Sequence, residues 1–214
     1  MKYDFPGVPG AACGGCDVYA DCDTPPRTVI IRAMPSTHRA IALFPGTFDP
    51  LTNGHLDLIR RAVAMFDVVV GIGTNPEKRE LFTPAQRRDM IRHVLADEKL
   101  PDIRVEIYDG LTVDFAKRIG AIAILRGIRN LIDLNFEFQL ALTNRAVADV
   151  ETVFIMADEA HGFTSSTLIK QIAASGRIEH LRRLLPPLIV RHIEQKLQTD
   201  HDALRSLAKD AHKE

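Results

Sequence analysis

The chain has 214 residues, 46% of them hydrophobic and 26% charged, with a formal net charge of -1. That is enough apolar material to bury a sizeable core, and near-neutrality excludes a global field steering the protein toward nucleic acid or an acidic membrane. No uninterrupted apolar run is long enough to span a bilayer, and the opening MKYDFPGVPGAACGGC lacks the basic and apolar regions of a signal peptide, so the expected location is the cytoplasm.

Residues 1–38 are rich in Gly, Pro, Asp and Cys, with poor periodicity and one short apolar patch at 29–31. They read as a mostly disordered leader. Its Cys13, Cys16 and Cys22 have a metal-like spacing, but a closed zinc site wants four ligands and only a distant His38 could complete one. A reduced extension is the simpler expectation. Residues 40–44 (AIALF) suit a buried strand. From His55 to Phe66 the apolar positions Leu56, Ile59, Val63 and Phe66 recur at helical spacing. Residues 67–73 (DVVVGIG) are strand-like. Thr83-Pro84-Ala85-Gln86 is a capping box with proline in the first turn, predicting a helix to about residue 96. A strand at 103–107 precedes a helix at 112–119, stopped by Gly120. Another strand follows at 121–125 (AIAIL). The long helix at 131–148 carries Leu131, Leu134, Phe138, Ala141 and Leu142 on one face. A strand at 152–156, a helix at 165–174 and two short helices around Pro186-Pro187 complete the pattern, and 199–214 form a polar tail.

The expected organisation is a leader (1–38), one domain (39–198) and a tail (199–214). Strands alternating with helices imply an α/β, doubly wound, five-stranded parallel sheet with helices on both faces and a C-terminal helical segment. Such sheets bind ligands beyond the carboxyl ends of their strands, where strand order reverses. Unusual residues collect after each predicted strand, at 45–55, 75–78, 109–111, 126–129 and 157–166.

The first of these segments, FPGTFDPLTNGHLDL from Phe44 to Leu58, has the parts of an anion site. Gly46 permits close approach, Thr47 offers a hydroxyl, and Gly54 and His55 stand at a predicted helix N-terminus, where free N–H groups and the helix dipole favour an anion. It is neither the phosphate loop of ATPases nor the glycine fingerprint of dinucleotide binders. By itself it also fits a Pro/Gly turn with a helix-capping histidine.

The wider pattern decides between these. GTFDPLTNGH resembles the T/H-x-G-H signature of the nucleotidylyltransferase superfamily, and PGTFDP-x-TNGH-x-D is similar to the phosphopantetheine adenylyltransferase family. The likeness continues through Asn75-Pro76-Glu77-Lys78, Arg126-Gly127-Ile128-Arg129, the run from Phe136 to Ala141 with Asn144-Arg145, and Phe163-Thr164-Ser165-Ser166-Thr167. It covers roughly residues 39–197. Departures are Thr167 for a usual serine, Phe136 for tyrosine, Asn135 and Gln171 for glutamate, Thr143 for methionine, and Gly110 where some members carry aspartate. They gather on the wall expected to hold the pantetheine arm.

The resemblance implies a Rossmann-like fold and transfer of AMP from ATP to 4'-phosphopantetheine, giving dephospho-coenzyme A and pyrophosphate. It implies His55 as transition-state stabiliser, with Lys78 and Arg126 on the acceptor phosphate. Thr47, Phe48, His55, Gly127, Ile128, Arg129 and Glu137, with His161, Gly162, Phe163, Thr164, Ser165, Ser166 and Thr167, would bind ATP. Thr47, Lys78, Leu111, Thr112, Arg126 and Asn144 would meet the acceptor. Mg2+ is expected to arrive with ATP, with no dedicated metal cage. A homohexamer, coenzyme A feedback, and no nucleic-acid or membrane partner complete the expectation. The alternatives are a superfamily enzyme with another acceptor such as nicotinamide mononucleotide, an alcohol-phosphate enzyme using CTP, and a non-catalytic nucleotide-binding module. A nucleic-acid binder would want a basic face with stacking aromatics, against three Tyr, ten Phe and no Trp here.

Overall fold

The computed structural model describes residues 39–74, 80–100, 102–162 and 164–199. The cysteine leader with His38, the 75–79 segment with Lys78, Phe163 and the polar tail lie outside the described residues. Five strands, β1 (Ile41–Gly46), β2 (Asp67–Gly73), β3 (Arg104–Tyr108), β4 (Ala123–Ile128) and β5 (Glu151–Met156), form one sheet in the order β3-β2-β1-β4-β5. Every pairing is parallel. The order reverses between β1 and β4, the strands that leave in opposite directions across the sheet.

Adjacent β1 residues feed opposite cores, as strand geometry requires. Phe44 joins Val70, Ile72 and Leu125 under α1 (Asn53–Ala62), α2 (Pro84–Asp97), α5 (Ser166–Ala174) and α6 (Pro187–Thr199). Leu43 joins Val69 and Ile124 on the other face, with Phe115 and Ala116 of α3 (Thr112–Arg118) and Ala148 of α4 (Leu131–Ala148). The sheet is therefore covered on both sides, as the alternating pattern predicts.

The structure redraws three boundaries. The first helix ends at Ala62 rather than Phe66: the amides of Met65 and Phe66 both return to the Ala62 carbonyl, which turns the chain into β2. The fourth strand is two residues later than AIAIL suggests and runs on through Arg126, Gly127 and Ile128, paired with Phe154, Ile155 and Met156 of β5. These three residues are therefore in the strand and not after it. At the C-terminal end, a 3-10 helix (Ile178–Arg183) is followed by a 13-residue α6, so only the first of the two predicted short helices is short. The turn between them is structural. Leu185 is buried, and Asn53 at the start of α1 donates its backbone N–H to Leu184 O (2.9 Å) and its side-chain amide to Arg183 O (3.1 Å).

Two further features bear on function. The ladder between β1 and β4 covers only Ala42–Leu43 against Ala123–Ile124, whereas β1 pairs with β2 over six residues. Helix α4 carries apolar side chains on most of its sides and leaves them exposed: Leu131 is 81% accessible, Ile132 83% and Phe136 67%, with Phe138 and Leu142 about half exposed. Among the described residues no helix is long and apolar enough to cross a membrane.

Candidate active site

Where β1 and β4 part, their carboxyl ends frame a cleft of ≈ 310 Å³. Gly46, Thr47 and Phe48 form one wall, and Arg126, Gly127 and Arg129 the other. Gly127 is tightly packed. A Cβ there would lie 2.3 Å from Leu58 Cδ1, so any larger residue requires Leu58 or its surroundings to move.

The loop after β1 is held in an unusual conformation. Phe48 has φ 47°, a left-handed backbone that costs a bulky side chain about 1–3 kcal/mol. Its ring lies over Gly46, where a Cβ would come within 2.9 Å of it, and edge-on to His55 at 5.1 Å between centroids. A cis Asp49–Pro50 bond follows. The buried Asp49 carboxylate accepts from the N–H groups of Leu81 (2.8 Å) and Phe82 (2.9 Å) and pairs with Lys170 of α5 (2.7 Å). Arg87 of α2 is 1% exposed. Its guanidinium donates to Phe82 O (2.9 Å), to Thr47 O (2.6 Å) and to the Glu80 carboxylate.

Helix α1 opens with a capping box: the Thr52 hydroxyl accepts from the His55 N–H, and the Thr52 N–H donates to His55 Nδ1 (3.1 Å). A cap of this kind contributes about 1 kcal/mol. It also sets the chemistry of the ring. With Nδ1 accepting, the proton of the neutral imidazole sits on Nε2, on the far side of the ring from the cap. Burial lowers the His55 pKa to about 4, and the positive charges of Arg129 and then Arg126 add to that effect. At neutral pH the ring is uncharged and retains one N–H donor. His55 is not sealed, since it lines the cleft.

The two arginines are each fixed by α4. Arg126 donates Nε to Glu137 Oε2 (2.7 Å) and Nη2 to Glu137 Oε1, while Nη1 reaches Pro45 O at 3.4 Å across the opening between the strands. Arg129 donates Nε to Asp133 Oδ2 (2.7 Å) and Nη2 to Asp133 Oδ1 (3.1 Å), and Nη1 to Thr164 O (3.0 Å). Its hydrogen bonds hold the Asp133 carboxyl below the usual range, against the smaller opposing effect of burial. Such forked, charge-assisted pairs fix a guanidinium plane.

The third wall follows β5. His161 ends a one-turn 3-10 helix (Glu159–His161), and Thr164, Ser165 and Ser166 lead into α5. Ser165 caps that helix by accepting from Leu168 N–H (3.1 Å). The buried Thr164 hydroxyl has no hydrogen-bond partner among the described residues, an exception of the kind that calls for a missing polar neighbour.

The cleft thus gathers Thr47, Phe48, His55, Arg126, Gly127, Arg129, Glu137, His161, Thr164, Ser165 and Ser166 from the sequence-predicted set. Others do not line it. The Ile128 side chain is buried in the core, Asn144 is buried on α4, and Leu111 is exposed. Thr112 is engaged with the Tyr108 hydroxyl at 2.9 Å. Thr167 is exposed and Gly162 closes the 3-10 turn. Lys78 and Phe163 lie outside the described residues. Sequence reasoning missed Asp133, Arg87, Asp49 and Lys170. Only Asp133 carried a local signal, lying four residues after Arg129 in the first turn of the predicted helix.

Two guanidinium groups, a neutral N–H donor and two helix N-termini around one cleft suit a chain of phosphates. Known proteins share much of this sequence and fold. A family model for cytidylyltransferase-like proteins matches residues 43–172. The phosphopantetheine adenylyltransferase of Leuconostoc citreum is 45% identical over 159 residues, covering 74% of this chain and 99% of that protein. That of Rhodopirellula baltica is 45% identical over 161 residues (74% and 89%), and that of Moorella thermoacetica 46% over 153 residues (71% and 93%). Among solved structures, a bifunctional NMN adenylyltransferase/ADP ribose pyrophosphatase from Francisella tularensis, complexed with AMP and a manganese ion, superposes with TM-score 0.56. It is 15% identical, covering 80% of this chain and 52% of that one. A putative nicotinate-nucleotide adenylyltransferase from Vibrio parahaemolyticus gives 0.53 at 18% identity, covering 72% and 98%. At these identities the two structures speak to the fold alone.

Proposed function

The chain belongs to the phosphopantetheine adenylyltransferase family, and from that premise we propose how its own residues carry the transfer of AMP from ATP to 4'-phosphopantetheine. A terminal phosphate oxygen of the acceptor attacks the α-phosphorus in line. The bond to the bridging oxygen breaks and pyrophosphate leaves. The attacking phosphate is already anionic, so no general base and no covalent enzyme intermediate is needed. The product is dephospho-coenzyme A, which places the enzyme in coenzyme A biosynthesis.

The observation that carries this reading is the neutral His55 ring, with Nδ1 committed to the Thr52 N–H and a single N–H on Nε2. It donates to the α-phosphate as charge grows there. Thr47 orients the incoming phosphate, and Arg126 with Lys78 holds it. Arg129, the Phe48, Gly127 and Ile128 backbone and the 161–167 turn hold the nucleotide, and Glu137 sets the plane of Arg126. Leu111, Thr112 and Asn144 border the pantetheine arm. That edge carries the departures from the family pattern, so acceptor selection is the finest part of the proposal.

Mg2+ enters with ATP. Among the described residues no cluster of three or more His, Cys, Asp or Glu forms a metal cage, and the cleft carboxylates Asp133 and Glu137 are each engaged by an arginine. These carboxylates do not fit a resident metal. A homohexamer is part of the proposal; the exposed apolar side chains of α4 support assembly of some kind, and the number of copies rests on the family likeness. Coenzyme A shares the pantetheine arm and would compete for the same cleft. The cytoplasm is the proposed location, with 39–198 as the catalytic domain between a leader and a tail.

Pyrophosphate release from ATP, measured with phosphopantetheine and with nicotinamide mononucleotide as acceptors, tests the reading. Turnover with the first and a loss on the order of a hundredfold or more in His55→Ala are expected. Turnover with nicotinamide mononucleotide alone would overturn the acceptor assignment. ATP binding without pyrophosphate release would make the chain a nucleotide-binding module.

A further inference from the structure

Arg87 is outside the expected set of substrate contacts, and it is the largest fully buried side chain among the described residues. Burying a guanidinium is costly unless every donor finds an acceptor. Here Nε meets Phe82 O at 2.9 Å, Nη1 meets Thr47 O at 2.6 Å and Nη2 meets the Glu80 carboxylate. The Phe82 N–H on the same loop is held by Asp49 at 2.9 Å. Arg87 and Asp49 therefore stitch the loop after β1 to the segment entering α2 at two points.

The Thr47 contact has a directional consequence. In a trans peptide the carbonyl and the following N–H point in opposite directions. With the Thr47 carbonyl drawn inward to Arg87, the Phe48 N–H is turned outward, and no described residue accepts from it. Thr47 and Phe48 both line the cleft. Phe48 itself is held with a left-handed backbone (φ 47°), which a phenylalanine rarely adopts unaided.

We infer that Arg87 is a positioning residue for adenylyl transfer: it holds the Thr47–Phe48 peptide turned so that the Phe48 N–H and the Thr47 hydroxyl face the phosphates. The inference rests on the transfer reading above. Lysine cannot replace arginine here, because one ammonium cannot fork to three acceptors in one plane.

The test is Arg87→Lys beside wild type, with Arg88→Lys as a neighbouring control whose activity should be unchanged. Steady-state kinetics, ATP affinity by calorimetry, thermal melts and crystal structures are compared. The expected result is a kcat lower by about 10- to 100-fold, as misplacement by about 1 Å produces. The protein should be folded at the assay temperature, and the 47–48 peptide rotated with Phe48 out of the left-handed region. A peptide that keeps its orientation overturns the inference. So does a kcat within about twofold of wild type, or a loss that merely tracks the unfolded fraction. Wild type that releases no pyrophosphate from ATP and phosphopantetheine sinks the transfer reading instead. Arg87 is then decided by the peptide orientation and ATP affinity: a turned peptide with weakened ATP binding upholds its positioning role, and an unmoved peptide or unchanged affinity overturns it.

Discussion

The backbone N–H of Thr52 donates to Nδ1 of His55 at 3.1 Å, so a helix cap and the tautomer of the cleft histidine are one interaction. Its pH consequence has a definite sign. The His55 pKa falls from the model-peptide 6.5 to about 4 on folding. Between those values the unfolded chain binds more protons, so stability falls as pH drops from about 6.5 to about 4 and is complete above that window. The effect is at most about 3 kcal/mol. Urea midpoints at pH 7, 5.5 and 4.5 should fall more steeply in wild type than in His55→Gln. Identical slopes would count against the shifted ring. For the same reason protonation of His55 should not limit turnover near pH 6.5.

The two arginines should be separable through that ring. Arg129 contributes more than Arg126 to holding His55 neutral, and burial more than either. Arg129→Gln should raise the His55 pKa, Arg126→Gln should raise it less, and neither should return it fully to 6.5. Titration of the ring nitrogens by NMR checks the order. A larger rise in Arg126→Gln would reverse the assignment.

Gly127→Ala places a methyl 2.3 Å from Leu58 Cδ1. The clash is with the tip of a buried leucine, so the core must shift or Leu58 must change rotamer. Overpacking of this kind costs about 1–3 kcal/mol. Chemical denaturation should show that loss, and adding Leu58→Ala should give a smaller cost than the two single changes summed. Strict additivity would mean that the two sites do not touch as described.

Placing glutamate at Phe136 and Leu142 should leave the sheet and its two cores intact, because both side chains are exposed. If α4 carries the proposed assembly surface, sedimentation of the double variant should show smaller species than wild type, with unchanged far-ultraviolet dichroism. An unaltered sedimentation profile would move the assembly surface elsewhere.

Much of this was legible in the sequence. The DVVVGIG strand and the helix from Leu131 to Ala148 have their predicted bounds, because a segment dominated by β-branched residues and a long run without Gly or Pro leave little choice. Thr83-Pro84-Ala85-Gln86 caps α2 as its spacing requires. The end of β4 was not legible, since Arg126 and Gly127 look like a loop until β5 lies alongside to pair with them. The orientation of α4 was hidden because leucines, isoleucine and phenylalanines occur almost all around it. Arg87 and Asp49 were invisible for another reason. Asp49 meets Leu81, Phe82 and Lys170, and Arg87 meets Thr47, all distant in sequence; only Phe82 O and Glu80 lie near Arg87. No local period encodes a contact of that span.

The short β1–β4 ladder sets how wide the cleft opens. The sheet unzips after Leu43 and Ile124, and Arg126 bridges the gap to Pro45 O where the next rungs would form. Pocket width is therefore a matter of register at two backbone pairs. A change that added one more rung would narrow the mouth without touching any cleft side chain, and one that removed a rung would widen it. Substrate size could drift over evolution through the seam of the sheet while His55 and the two arginines stay as they are.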